Sequence, residues 1–259
     1  MPPKPRVAVL GCVPRPRVAV FVAIALALAG CGVAAGDERI TLKVLAASSL
    51  TEAFEELGTA YNAAERDVTV RFEFAGSQDL ALDIEDHEPA DVLATADGAS
   101  MDPVATKVSG RRLFAYNSMT IAVAPGNPRQ VQGLASLADR RLRVVLGGPI
   151  VPVGRYAAQV LAKAGVTVRP RSEEADARTV LTKVRTGEAD AGIVYVTDMR
   201  SAGISASSVP IPAQQNVTAT YFAAAVRGSA HGTAGKAFVA WLGSPTAKTI
   251  LRKYGFPTP

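Results

Sequence analysis

The chain has 259 residues, enough to bury a large core in one big or two medium domains, and its 48% hydrophobic and 20% charged residues are those of a folded protein. The formal charge of +5 is concentrated at one end: Lys4, Arg6, Arg15 and Arg17 precede Cys31 and no acidic residue does, so that beyond Cys31 24 basic residues face 23 acidic ones. That near balance removes the electrostatic support for nucleic-acid or anionic-membrane binding by the folded part.

Residues 1–31 read as an export signal, with a basic stretch, an apolar run over 18–29 and then Leu28-Ala29-Gly30-Cys31. The run is too short to span a bilayer comfortably and fits the apolar centre of a signal peptide. Leu-Ala-Gly-Cys resembles the lipobox of bacterial lipoproteins, which implies cleavage before Cys31 and acylation of its thiol. Cys12 would leave with the signal, so the mature chain would hold one cysteine and no internal disulfide. The expected product is exported and lipid-anchored through Cys31 to the outer face of the cytoplasmic membrane, with the small polar residues 32–38 as a tether.

Folded sequence is expected from residue 39. Ile40, Leu42 and Val44 alternate as in a strand. Residues 50–65 carry Leu50, Phe54, Leu57 and Tyr61 at helical spacing, with Ser49 or Thr51 available as an N-cap. Val68, Val70, Phe72 and Phe74 alternate again; a helix follows Ser77 with Leu80 and Ile84 facing inward, and 90–96 makes a third strand. This order argues for a parallel sheet with helices on its faces. The middle repeats the plan. A strand over 119–124 runs into the turn Pro125-Gly126-Asn127-Pro128, a candidate crossing between lobes. Then come a strand at 142–146, helices at 154–164 and 175–185, and a strand at 191–196. The apolar segment 218–226 is a candidate for returning the chain to the first lobe, and two helices, 234–242 and 246–254, close the protein.

Four charge-poor junctions between strand and helix carry most of the functional signal: AASSL at 46–50, FAGS at 74–77, VPVGRY at 151–156 and GIVY at 192–195. A junction that opens a helix aims free backbone N–H groups and a partial positive charge outward, which suits an anion. Singly, Ser49 and Ser77 read as caps and Tyr195 as a packing residue; converging, they would bind an oxyanion without a cationic side chain. Arg155, one residue into a helix, reads as solvated, and Asp198 as a group that caps or orients the segment after Tyr195. A metal role for Asp91 or Asp97 is not supported by their spacing.

Enzyme readings find little support. Only His87 and His231 are available for a Ser-His-Asp arrangement. No G-x-S-x-G surrounds a serine, and the only G-x-G, Gly30-Cys31-Gly32, lies at the end of the signal. No Cys/His cluster offers a zinc site. A hydrolase acting through Ser49 is the remaining catalytic alternative.

The segments KVLAASSLTEAFEEL, VRFEFAGSQDLALDIE, PADVLATAD, YNSMTIAVAPGNP, GGPIVPVGRYAAQVL, GEADAGIVYVTD and AFVAWLGSPTAKTILRKYGF together resemble the substrate-binding proteins of bacterial molybdate ABC transporters, from about Ile40 to Phe256. The resemblance implies an α/β, two-lobed periplasmic-binding-protein fold of type II with the ligand cleft between the lobes. It implies lobe 1 over 39–119 plus 220–259 and lobe 2 over 120–219. The ligand would be molybdate or tungstate, with no cofactor and no metal bound directly by the protein. Carried over by position, Ser49 and Ser77 would donate hydroxyl and backbone N–H groups, Val153 and Ala177 backbone N–H groups, and Tyr195 its phenol. The family often has a serine where this chain has Gly76 or Gln78, leaving one secondary polar contact to be lost or replaced. The implied partners are an ABC permease and its ATPase, the binding protein itself being a monomer without catalytic residues. The alternative ligands are other tetrahedral oxyanions such as sulfate or thiosulfate.

A site of donors alone would reject protonated oxyanions, whose O–H would find no acceptor. Discrimination against the smaller sulfate would have to come from size.

Overall fold

The computed structural model describes residues 39–259; the signal, Cys31 and the 32–38 tether lie outside the described residues. Among the described residues no helix is long and apolar enough to cross a membrane.

Strand β1 (Ile40–Ala47) buries Leu42, Val44 and the residues after it. It pairs in parallel with β2 (Val68–Ala75) on one side and β3 (Val92–Thr95) on the other. Helix α1 (Thr51–Ala64) connects β1 to β2, and α2 (Ser77–Glu85) connects β2 to β3. The expected β-α-β-α-β order is therefore present, and the inward residues Phe54, Leu57, Leu80 and Ile84 are all buried. Neither Ser49 nor Thr51 caps α1: Leu50 holds that place without a side-chain hydrogen bond. Residues Ser48–Leu50 form a 3-10 turn instead, and the Thr51 hydroxyl donates back to the Ser48 carbonyl at 2.7 Å.

Strand β4 (Val108–Val123) is 16 residues long, far longer than the 119–124 stretch read from alternation. Its first part, to Ser118, pairs antiparallel with β9 (Thr218–Val226), and β9 pairs in turn with β3. From Met119 onward it pairs with β7 (Ala191–Tyr195) and β8 (Ser207–Pro210). The change of partner thus lies inside the strand, between Ser118 and Met119, and not at the Pro125–Pro128 turn. Shifts of register at 109–112 and 113–115 interrupt the alternation there, as bulges do.

The second half of the sheet adds β5 (Val144–Gly147), parallel to β7, and the short β6 (Ser172–Glu174) outside it. The path β2-β1-β3-β9-β4-β7-β5-β6 is continuous, with β8 as a branch on β4. Helices α3 (Pro152–Ala164) and α4 (Ala177–Arg185) pack on the second half. Gly165 ends α3 in the left-handed conformation, φ 65°, which a residue lacking Cβ adopts without strain. A seven-residue helix α5 (Val196–Ala202) follows β7, and α6 (Gly232–Trp241) and α7 (Pro245–Lys253) close the chain. Trp241 lies with Tyr61 and Phe238, ring centroids 5.1 and 6.2 Å away. Two lobes, each a half-sheet with its helices, therefore share strands and meet along a cleft.

Candidate anion-binding cleft

Each of the four junctions ends a strand at the cleft. Ser48 and Ser49 follow β1, Gly76 and Ser77 follow β2, Val151 to Val153 follow β5, and Tyr195 ends β7. Because β1 runs parallel to β2 and β5 parallel to β7, each pair delivers the residues that follow its strands to one edge. One cavity of about 200 Å³ of empty space is lined by Ser49, Ser77, Val153, Ala177 and Tyr195, all five residues singled out by resemblance. No lysine, arginine or histidine lines it.

Ser77 opens α2 and is buried. Its Oγ accepts the Ala96 N–H at 3.0 Å, which occupies the oxygen on the protein side and leaves the hydroxyl proton for the cavity. Ser49 Oγ lies 3.0 Å from Tyr221 Oη. Tyr195 is fully buried and its phenol has no hydrogen-bond partner among the described residues; burial pushes its pKa well above the ordinary value, so it stays a donor. Rings of Tyr156 and Tyr221 pack against it at 6.3 and 5.8 Å.

The two helix N-termini from the second lobe differ. Val151 precedes α3 with no side-chain cap, so the first N–H groups, Val153 among them, face the cavity without an internal acceptor. A close approach sets this helix: a Cβ on Gly154 would overlap the carbonyl oxygens of Gly147 and Gly148. At α4, Asp176 is the cap, accepting the Thr179 N–H at 2.9 Å. Its carboxylate also takes the Thr179 hydroxyl at 3.1 Å and, from the first lobe, the Ser48 hydroxyl at 3.2 Å. The α4 dipole is therefore shared with a carboxylate, making Ala177 a weaker donor than Val153.

Several polar contacts around the cavity were not legible in the sequence. Arg155 is paired, not solvated: its Nε reaches Asp97 Oδ2 and its Nη2 Ser100 Oγ, both at 2.7 Å across the cleft. Arg178 Nη1 reaches Glu52 Oε1 at 2.7 Å, also across the cleft, and Nη2 holds the other carboxylate oxygen. Gln78 donates to the Ala175 carbonyl at 2.9 Å. Asp198 caps as expected, accepting the Tyr195 N–H at 3.0 Å, but from within α5 and fully buried. Burial pushes its pKa up to about 7 against the opposing pull of Arg178, whose Nε is 3.5 Å away. Behind Ser49, sequence reading also missed Tyr221, Asn117 and Thr197. For Asn117 and Tyr221 the signal was a polar group within a strand; Thr197, in the first turn of α5, gave none.

A roomier depression, about 1240 Å³ of empty space, lies on the first lobe beside His87, Asp91, Lys107, Arg227 and His231. Several of its polar groups are engaged elsewhere: His231 Nδ1 is 3.4 Å from Asp91, Lys107 donates to the Glu85 carbonyl and Arg227 to that of Val108. The small cleft is the better candidate despite its size, because among the described residues the buried Tyr195 phenol on its wall lacks a partner and α3 opens onto it without a side-chain cap.

Two α/β lobes that share strands and close on a cleft define a periplasmic-binding-protein fold of type II. Residues 42–257 match the family described as bacterial extracellular solute-binding protein, and the chain belongs to that family. It is 36% identical over 222 residues to the molybdate-binding protein ModA of Mycobacterium tuberculosis, covering 85% of each chain. It is 34% identical over 252 residues to the molybdate-binding protein ModA of Escherichia coli, covering 91% of this chain and 96% of that one. Among solved structures it is similar to the periplasmic molybdate-binding protein of Azotobacter vinelandii, with a TM-score of 0.71 and 21% identity over 84% of this chain and 99% of that one. The sulfate-binding protein SubI of Mycobacterium tuberculosis gives 0.76 and 19%, over 85% and 87%. At those identities the two structures speak for the fold alone.

Proposed function

We propose that this protein is the extracytoplasmic substrate-binding component of an ABC importer and that its cargo is molybdate, with tungstate, of the same shape and charge, as a second cargo. In this reading lobe 1 comprises 39–119 with 220–259 and lobe 2 comprises 120–219. The anion lies between them, held by the hydroxyls of Ser49, Ser77 and Tyr195 and the backbone N–H groups of Val153 and Ala177. Lipidated Cys31 anchors the protein, and a permease with its ATPase receives the cargo.

One observation carries the reading: three hydroxyls and an uncapped helix N-terminus, drawn from both lobes, line a small cavity without a cation. A tetrahedral dianion needs many donors, and burying it with unmet acceptors would cost roughly several kcal/mol. Neutral hydroxyls and amides meet that need at every physiological pH. The one carboxylate on the wall, Asp176, is engaged by three donors of its own and offers little to a protonated oxyanion. The identity to molybdate-binding relatives, which extends over most of the chain, supports the cargo assignment.

Calorimetric titration of the chain beginning after Cys31 with molybdate, tungstate, sulfate and phosphate is the test. Heat from the first two alone is the expected outcome. Equal binding of sulfate would move the assignment to a general sulfate-type receptor, and binding of none would reject the cleft as an oxyanion site.

A further inference from the structure

The hydroxyl pair Ser49 Oγ and Tyr221 Oη, 3.0 Å apart, has two possible polarities, and they have opposite consequences. If Ser49 donated to Tyr221, its proton would be spent inside the protein. If Tyr221 donates to Ser49, the serine proton is left for the cavity.

Asn117 decides between them. Its Oδ1 accepts the Ser118 N–H at 3.0 Å, which turns the amide nitrogen toward Thr197 and Tyr221. That nitrogen donates to Thr197 Oγ1 at 2.8 Å and to Tyr221 Oη at 3.3 Å. An amide NH₂ can only donate, so Tyr221 is an acceptor toward Asn117 and its own proton must go elsewhere. Tyr221 is fully buried, and Ser49 Oγ is the other side-chain atom hydrogen-bonded to its oxygen. A buried O–H without an acceptor is costly, and burial drives the Tyr221 pKa far up, so the proton stays.

We infer that Tyr221 and Asn117 are positioning residues that direct the Ser49 proton into the cavity, through a one-way chain from Asn117 to Tyr221 to Ser49 to the cavity. Each bond in such a chain polarises the next. The inference rests on the oxyanion reading of the cleft and adds a source of specificity to it. With one of its two lone pairs taken by Tyr221, Ser49 presents its proton to the cavity and has less capacity to accept from a protonated anion such as hydrogen phosphate. Ser77, whose oxygen accepts from Ala96, likewise has one lone pair engaged and its proton free.

The test is calorimetry on Ser49→Ala, Tyr221→Phe and Asn117→Ala with molybdate, sulfate and phosphate, alongside thermal unfolding of each unliganded variant. Tyr221→Phe is expected to weaken molybdate binding roughly tenfold and to narrow the preference for molybdate over phosphate, because the Ser49 proton is then no longer directed to the cavity and both its lone pairs are free to accept. Asn117→Ala, which keeps the hydroxyl pair but removes its direction, is expected to narrow that preference in the same sense; it also stands in if Tyr221→Phe does not fold. Lower thermal stability with unchanged affinity and unchanged anion ranking would overturn the inference, since a merely structural role predicts that pattern. Wild-type affinity in Ser49→Ala would overturn the site itself. Weakened Ser49→Ala beside unaltered Tyr221→Phe and Asn117→Ala would overturn the positioning chain alone.

Discussion

Arg178, in the first turn of α4, grips the carboxylate of Glu52, in the first turn of α1, through both terminal nitrogens across the cleft. Together with Arg155 on Asp97 and Ser100, and with Ser48 on Asp176, it ties the two lobes in a closed arrangement. The two arginine clamps lie outside the lining of the proposed anion cavity, whereas Ser48 and Asp176 form part of its wall. They act on the balance between open and closed lobes, and a ligand that binds only the closed form feels that balance as affinity.

Glu52→Gln should therefore weaken molybdate binding while leaving the cavity intact. The pair is part-exposed, so its worth is discounted for solvent screening, and a loss of roughly threefold to tenfold is expected. Calorimetry gives the affinity, and small-angle scattering of the unliganded variant should show a more extended average shape. A variant as compact and as tight-binding as wild type would remove this pair from the closing equilibrium.

Arg155→Lys makes a separate demand on geometry. The guanidinium serves Asp97 through Nε and Ser100 through Nη2 at once, which an ammonium point charge cannot reproduce. Faster molybdate release is expected in both Arg155→Lys and Arg155→Ala, measured by stopped-flow competition. Full rescue by lysine would show that charge alone suffices.

Tyr195→Phe separates binding from stability. The phenol has no hydrogen-bond partner among the described residues although it is buried, so its removal should leave the unliganded melting temperature unchanged or raised. Molybdate affinity should nevertheless fall, by roughly 1–3 kcal/mol. Ser77→Ala should behave differently and lower both, because it also strips the Ala96 N–H of its acceptor.

Asp198 sets a pH dependence whose sign follows from burial. Its pKa rises from 3.8 to about 7 in the folded protein. Between those values the folded state holds a proton that the unfolded state has lost, so stability falls as pH rises. The contribution is complete below about pH 4 and is lost as pH passes through the folded value of about 7. Arg178 opposes the shift, whereas Glu52 and Asp176 reinforce it. Asp198→Asn, which keeps an acceptor for the Tyr195 N–H, should flatten the decline in melting temperature between pH 5 and 8, as followed by circular dichroism. An equally steep decline in the variant would assign it to another group.

The lobes' secondary structure was legible because hydrophobic period is a local property. Thr218–Val226 reads as a strand and is one, and the pattern of Leu50, Phe54, Leu57 and Tyr61 yields α1. Strand β4 was half lost because Gly110, Arg111 and Arg112 break its alternation at a bulge, and β6, β8 and α5 are too short to show any period. The residues named for the cleft were singled out by resemblance, since local pattern read Ser49 and Ser77 as caps and Tyr195 as a packing residue; the five line one cavity.

What sequence alone determined was therefore the α/β order, the near-neutral folded part and the junctions able to face an anion. What only the tertiary structure decided is how polar groups far apart in the chain face one another. Glu52 and Arg178 are 126 residues apart, and Ser49 and Tyr221 are 172 apart. Arg155 reads as a solvated helix residue until Asp97 arrives from the other lobe. Apolar burial is written into the period of each segment, but a hydrogen bond across the cleft depends on two separately folded surfaces coming within about 3 Å of each other, and no local pattern records that.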